Sequence, residues 1–262
     1  MKFMLMGLEE QGEWERLPQA ERERRMQRHT QALQGLVAER GLVGKQTLVL
    51  TSVMLGQSTD AVTLRMKGGK SVMTDGPFAT TNEVLAGFDL IDFASRDEAL
   101  AFARRGSAHD GHVTEIRPVQ ESWWAYHGPG AGDGQRFMIV IVSNEAALAR
   151  RSQAETDRVV AHHEQIGMEY SAQKGMVRGE PLCFSSARLR PSAEALTLRM
   201  RRGEPLASDG PFAETKEVVG GFFIIDAASV GEAVAWGRKL AEVGGETVEI
   251  RPVQSMWSIY HG

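Results

Sequence analysis

Two histidines and two aspartates have the residue types and the placement for proton transfer. His29 lies three residues after Met26 and four before Leu33, and His163 lies four after Val159 and three before Ile166. That spacing puts both rings on the inward face of an amphipathic helix. Asp75 and Asp209 each open an Asp-Gly-Pro-Phe loop, where a carboxylate can serve as a general acid or base or as a polar anchor at a pocket rim. A carboxylate that holds one imidazole tautomer equips the ring to gain or lose a proton near neutrality, so the helix histidines are the natural partners of the loop aspartates. No adjacent Ser or Cys completes a nucleophilic triad. Each residue also has a plainer reading. A histidine on an apolar helix face is commonly a hydrogen-bonded core residue. Gly-Pro restricts the glycine to extended or left-handed backbone, an aspartate before it accepts from following amides, and the phenylalanine anchors the loop. Both readings stand on the sequence.

The elements that must position these residues occur twice. Thr63-Leu-Arg-Met66 returns as Thr197-Leu-Arg-Met200, Asp75-Gly-Pro-Phe-Ala79 as Asp209-Gly-Pro-Phe-Ala213, and Glu115-Ile-Arg-Pro-Val-Gln120 as Glu249-Ile-Arg-Pro-Val-Gln254. The offset is constant (209 − 75 = 134) and also carries His29 onto His163. This is duplication of a whole domain, not a short solenoid repeat. The expected boundaries are a first copy over 1–128, a Gly/Pro linker over 129–134 and a second copy over 135–262. The six linker residues span about 20 Å when fully extended, so the copies must be neighbours.

Within a copy the periodicities predict a strand at Lys2–Gly7, a helix over about Pro18–Arg40 stopped by Gly41, and a strand at Ala61–Lys67. Val72–Thr74 returns across Gly68-Gly69, Val84–Phe93 is a further strand, and His112–Val119 is the last. Ser95-Arg-Asp-Glu98, Ser152-Gln-Ala-Glu155 and Ser229-Val-Gly-Glu232 are capping boxes that open helices. The order is β-α-β-β-α-β, an α+β ferredoxin-like unit. Strand alternation puts Val62, Leu64, Met66 and Ile116 toward the helices, and Arg65, Glu115 and Arg117 on the other face with Arg199, Glu249 and Arg251 in the second copy. Phe222-Phe-Ile-Ile225 is apolar on both faces, so its strand should be covered on both. The expectation is two copies packed sheet to sheet about a pseudo-twofold axis as a barrel within one chain, with the arginines and glutamates ion-paired inside. Arg65, Arg117, Arg199, Arg251 and Lys216 are also the candidate ligand-binding cations.

Asp209-Gly-Pro-Phe-Ala-Glu-Thr-Lys-Glu217 followed by Gly220-Gly-Phe222 resembles the signature of the DGPF branch of YCII-related proteins, and the resemblance spans nearly the whole of each copy. It implies the dimeric α/β-barrel type of ferredoxin-like fold. Carried over by motif position, it implies a site in which His163 approaches Asp209, and His29 approaches Asp75. The first copy departs from the motif at Thr80, Asn82 and Ala86, so the second copy is the expected better site. The resemblance implies two roles: a small-molecule binding protein or enzyme of unknown substrate, or a non-catalytic companion of an extracytoplasmic-function sigma factor.

Composition excludes several other classes. A formal charge of −4 and a pI near 6.0 give no general attraction to nucleic acid or to anionic membrane. There is no P-loop or dinucleotide fingerprint, and no metal-ligand spacing beyond the adjacent His162-His163, so no cofactor and no metal are expected. No apolar run reaches the roughly 20 residues of a membrane span and no signal segment is evident, which reads as cytoplasmic. The lone Cys183 reads as a buried small hydrophobe. Trp123, Trp257 and the Tyr-His-Gly endings (Tyr126–Gly128, Tyr260–Gly262) read as tail packing. The chain should be a monomer with an internal pseudo-twofold, or a dimer.

Overall fold

The computed structural model describes residues 1–40, 50–78, 83–106, 111–124, 134–174, 176–177, 180–181, 184–212 and 215–259. Gly41, Thr80, Asn82, Cys183, most of the linker and both Tyr-His-Gly endings lie outside the described residues, as does the side chain of Trp123.

The first copy runs β1 (Lys2–Glu10), α1 (Glu13–Arg16), α2 (Gln19–Arg40), β2 (Leu50–Leu55), β3 (Val62–Lys67), β4 (Lys70–Asp75), β5 (Glu83–Asp92), α3 (Arg96–Gly106) and β6 (Val113–Trp124). The second repeats it with β7 (Gln135–Asn144), α4 (Glu145–Leu148), α5 (Gln153–Lys174), β8 (Phe184–Leu189), β9 (Leu196–Arg201), β10 (Glu204–Asp209), β11 (Glu217–Ala227), α6 (Val230–Gly244) and β12 (Thr247–Ile259). All three capping boxes form. Ser95, Ser152 and Ser229 each accept from the amide three residues on, and the glutamates Glu98, Glu155 and Glu232 accept amides before the helix.

Each copy builds an antiparallel four-stranded sheet, β6-β1-β5-β2 and β12-β7-β11-β8. β2 then pairs with the second half of β12, and β8 with the second half of β6, so the two sheets close one eight-stranded barrel. The α+β fold is therefore two ferredoxin-like units in one closed barrel. Phe222-Phe-Ile-Ile225 is covered on both faces as its composition requires. Phe222 and Ile224 join Met4, Leu90 and Met138 inside the barrel. Phe223 and Ile225 face the helices with Trp236 and Leu240. Phe88 meets Phe222 across the barrel with ring centroids 4.7 Å apart.

One strand assignment is corrected. The second strand of the ferredoxin unit is β2, and the predicted strand at Ala61–Lys67 is instead an added hairpin, β3–β4. Gly68 and Gly69 turn it with φ of 57° and 75°, the left-handed pair that a two-residue hairpin needs. The hairpin is exchanged between copies: β3 pairs with the first half of β12, and β9 with the first half of β6. Leu64 accordingly completes the helix-side core of copy two, and Leu196 and Leu198 that of copy one.

The exchange explains the Asp-Gly-Pro-Phe loop. Glu115 and Glu249, almost fully buried, each hold the arginine two residues on: Arg117 Nε donates to Glu115 at 2.9 Å, and Arg251 meets Glu249 at 2.5 Å. The second oxygen of each glutamate accepts the amide of the other copy's motif phenylalanine, Phe212 at 3.1 Å and Phe78 at 2.8 Å. Arg65 and Arg199 donate to the carbonyls of Phe78 and Phe212, and each also faces a glutamate of the opposite copy, Glu217 and Glu83. Gly76 and Gly210 turn at φ of 95° and 93°, where any other residue would be strained. The loop is thus a latch that locks each exchanged hairpin onto its neighbour, and Phe78 packs against the barrel core.

Candidate functional site

The structure brings neither expected His–Asp pair together. Asp209 stands out in solvent, 84% exposed, and binds Arg96 of α3 at 2.8 Å. Asp75 is exposed at the end of β4. His163 Nε2 faces the Leu240 carbonyl at 3.2 Å and Glu246 at 3.7 Å. The loop aspartates lie on the exchanged hairpins, away from the helix of their own copy, so motif position could not reveal their neighbours. Lys216 is exposed. Arg65, Arg117 and Arg199 serve the latch, and Arg251, beside its pairing with Glu249, lines a cavity.

That cavity, of about 560 Å³, lies in the first copy. Its roof is α2 with α1 at one end, its floor is the helix-side face of β1, β2 and β5, and the second copy closes it with Met256 and Trp257 of β12. Its walls are mostly apolar, with Trp14, Met26, Leu33, Met54 and Phe102 among them. Met26, expected in the core from its helical spacing, is instead 46% exposed because it opens on this space.

His29 projects from α2 into the cavity with its Nε2 3.3 Å from Asp89 Oδ1 and 3.2 Å from Ser52 Oγ. Asp89 sits on β5 and Ser52 on β2, both on the face turned to the helices. One ring nitrogen serves both neighbours, so the arrangement is not a relay in which Asp89 activates Ser52 through the ring; that requires both nitrogens. Asp89 is buried and its Oδ1 has no aligned hydrogen-bond donor. Its carboxylate holds the His29 pKa above the usual 6.5 despite burial, which acts the other way. Nearby on β1, Glu9 lines the same cavity, and its pKa is pushed up to about 7, first by burial and then by Glu13 and Glu15, with Arg25 and Arg251 opposing.

The second copy shows what happened to the same space there. The residue 134 positions after Asp89 is Phe223, whose ring meets His163 edge-on with centroids 5.6 Å apart. Leu36 is matched by Tyr170, Phe102 by Trp236 and Gly106 by Leu240, and Tyr170, Trp236 and Leu240 are all buried. Burial, with no carboxylate as close as Asp89 is to His29, lowers the His163 pKa. The plainer reading of a helix histidine therefore describes His163. The expectation that copy two holds the better site rested on its intact loop motif, and that motif is part of the latch.

Asp89, Ser52 and Glu9 were not singled out from the sequence. The signal was present in the repeat: a strand position that is Asp in one copy and Phe in the other marks where one core opens to a cavity. Among the described residues no group of His, Cys, Asp and Glu is arranged to hold a metal ion, and no helix is long and apolar enough to cross a membrane.

The YCII-related domain family matches residues 1–122 and again 135–257. An uncharacterized protein of Rhizobium meliloti (strain 1021) is 34% identical over 121 residues, which is 45% of this chain and 90% of that one. Among solved structures, a putative chlorite dismutase, TA0507, superposes with a TM-score of 0.44 at 7% identity, over 97% of this chain and 94% of its own. A mutant chlorite dismutase from Candidatus Nitrospira defluvii gives 0.42 at 10% identity, over 97% and 91%. Likenesses this loose say nothing of the chemistry of this chain.

Proposed function

The chain belongs to the YCII-related domain family in tandem form, and from its asymmetric pair of copies we propose that it is a small-molecule enzyme with one working site, in copy one. The observation that supports this reading is the His29–Asp89 pair on an open cavity, at the place where copy two has His163 against Phe223. His29 is the catalytic residue: with its pKa raised by Asp89, its imidazolium donates a proton to the carbonyl oxygen of the bound molecule while water takes the proton from the adjacent carbon, and the ring recovers its proton when the carbon is reprotonated. Asp89 is a positioning residue that acts through the ring. The apolar walls supply binding by burial and exclude water, while a few polar groups at one end set orientation, the usual division of labour in such pockets.

The test is deuterium exchange. Small carbonyl compounds incubated with the chain in D2O and followed by NMR should exchange the hydrogen beside the carbonyl faster than in buffer. The enhancement should be lost in His29→Gln and kept in His163→Gln. Exchange that survives His29→Gln, or that disappears with His163→Gln, would contradict the assignment.

A further inference from the structure

We infer that the copy-one cavity takes a small organic amine, its ammonium group seated on Glu9 and its apolar body against Trp14, Met26 and Met256. This rests on the reading of the cavity as the working site and names its ligand class. The charges that line the space lead to it. Every lining arginine is already engaged: Arg25 with Glu13 at 2.8 Å and Glu21 at 3.4 Å, Arg251 with Glu249 and the Leu85 carbonyl, and Arg28 with a neighbour of its own. Among the described residues Glu9 and Glu15 have no ion-pair partner, although both line the cavity. Asp89, more than nine-tenths buried, keeps one oxygen without an aligned donor. Arg251 Nε is a buried donor without an acceptor in the same lining, so the excess of carboxylate is local to the Glu9 end of the cavity, and an ammonium there supplies donors and the opposite sign together.

The internal comparison carries the same message. At an offset of 134, Glu9 is matched by Ser143, Glu15 by Ala149 and Asp89 by Phe223. All three carboxylates are present in the copy with the cavity and replaced in the copy that filled it. The raised pKa of Glu9 fits this, because burial and its acidic neighbours disfavour its charge until a cation arrives. The groups facing Glu9 are Glu13 and Glu15 of α1, Arg25 of α2 and Arg251 of β12, with His112, just before β6, lying across Gly7.

Three probes of one shape separate the possibilities: benzylamine, benzyl alcohol and benzoate, titrated into the whole chain by calorimetry at pH 8 and pH 5.5. Benzylamine, an ammonium at both pH values, should bind at pH 8 at least tenfold more tightly than either isostere. It should weaken about tenfold at pH 5.5, as Glu9 takes up a proton, and by a similar factor in Glu9→Gln at pH 8. Glu15→Gln is a second, milder variant on the same charge cluster and should weaken it less. Benzoate or benzyl alcohol binding as tightly as benzylamine, or an unchanged affinity in Glu9→Gln, overturns the amine. If those probes still bind the parent chain and not Asp89→Phe, the cavity stands as the site. Binding of no probe overturns the inference, and the deuterium-exchange result then decides alone whether the cavity is the working site.

Discussion

Asp89→Phe should abolish ligand binding and any catalysed proton exchange while leaving the fold intact. The substitution gives copy one the residue that copy two carries at the same place, where Phe223 fills the space and meets His163 edge-on. It removes a buried carboxylate with an unsatisfied oxygen, so no well-made interaction other than the one to His29 is lost. The added ring buries apolar area, and a fully buried Phe side chain is worth roughly 1.5–3 kcal/mol, which offsets the loss of the pair to His29. Unfolding stability should therefore stay within about 1 kcal/mol of the parent or rise. The reciprocal change is not neutral. Phe223→Asp places a carboxylate in the packed core of copy two and should cost about 3–5 kcal/mol. Denaturant melts of both variants, with calorimetric binding of the first, check the pair. A destabilised Asp89→Phe that still binds ligand would reverse the roles given to the two copies.

Glu115→Ala should be the most damaging single change away from the cavity, costing about 3–5 kcal/mol. It strips the buried Arg117 of its counter-charge, leaving its bonds to the carbonyls of Arg190 at 3.4 Å and Val219 at 3.2 Å. It also orphans the Phe212 amide, so the latch that holds the exchanged β9–β10 hairpin opens at the same time. Glu249→Ala should behave alike for β3–β4 and in addition disturb ligand binding, because Arg251 lines the cavity. Replacing both members of the pair, Glu115→Ala with Arg117→Leu, should recover part of the loss, since a buried charge without its partner costs more than no charge. Urea denaturation of the single and double variants measures this directly. A Glu115→Ala protein as stable as its parent would mean that the latch contributes nothing to the closed barrel.

Much of the fold was legible because it is written in local patterns. The capping boxes at Ser95, Ser152 and Ser229 mark helix starts by side-chain chemistry that acts over three residues. The two-faced apolar strand at Phe222–Ile225 announced a barrel interior. The pairing of Arg117 and Arg251 with glutamates followed from charges alternating on a covered face. The hairpin exchange was not legible, because nothing in Thr63-Leu-Arg-Met66 specifies which copy's last strand it pairs with; in a duplicated chain both offer the same edge. β2 escaped notice for a related reason. Its outward residues, Ser52 and Met54, face a cavity instead of a core, so the strand lacks the two apolar faces that betray its neighbours. The expected His–Asp pairs do not meet because the longest motif shared by the copies lies on the exchanged hairpins. Asp209 is retained within a loop that locks two copies together, whereas the cavity opens at Asp89, where the copies disagree.

The two histidines at equivalent places are in different states. Asp89 raises the pKa of His29, so the protonated ring stabilises the fold fully below pH 6.5, and that contribution is lost as the pH rises through its folded value. Burial lowers the pKa of His163, so its neutral form is favoured, and stability is lost as the pH falls from 6.5 through its folded value. An NMR pH titration of the ring protons, assigned with His29→Gln and His163→Gln and repeated with benzylamine, reads both at once. His29 should titrate above 6.5 and respond to the amine, and His163 should titrate below 6.5 and stay silent. The reverse order, or an amine response at His163, would contradict a single working site in the first copy.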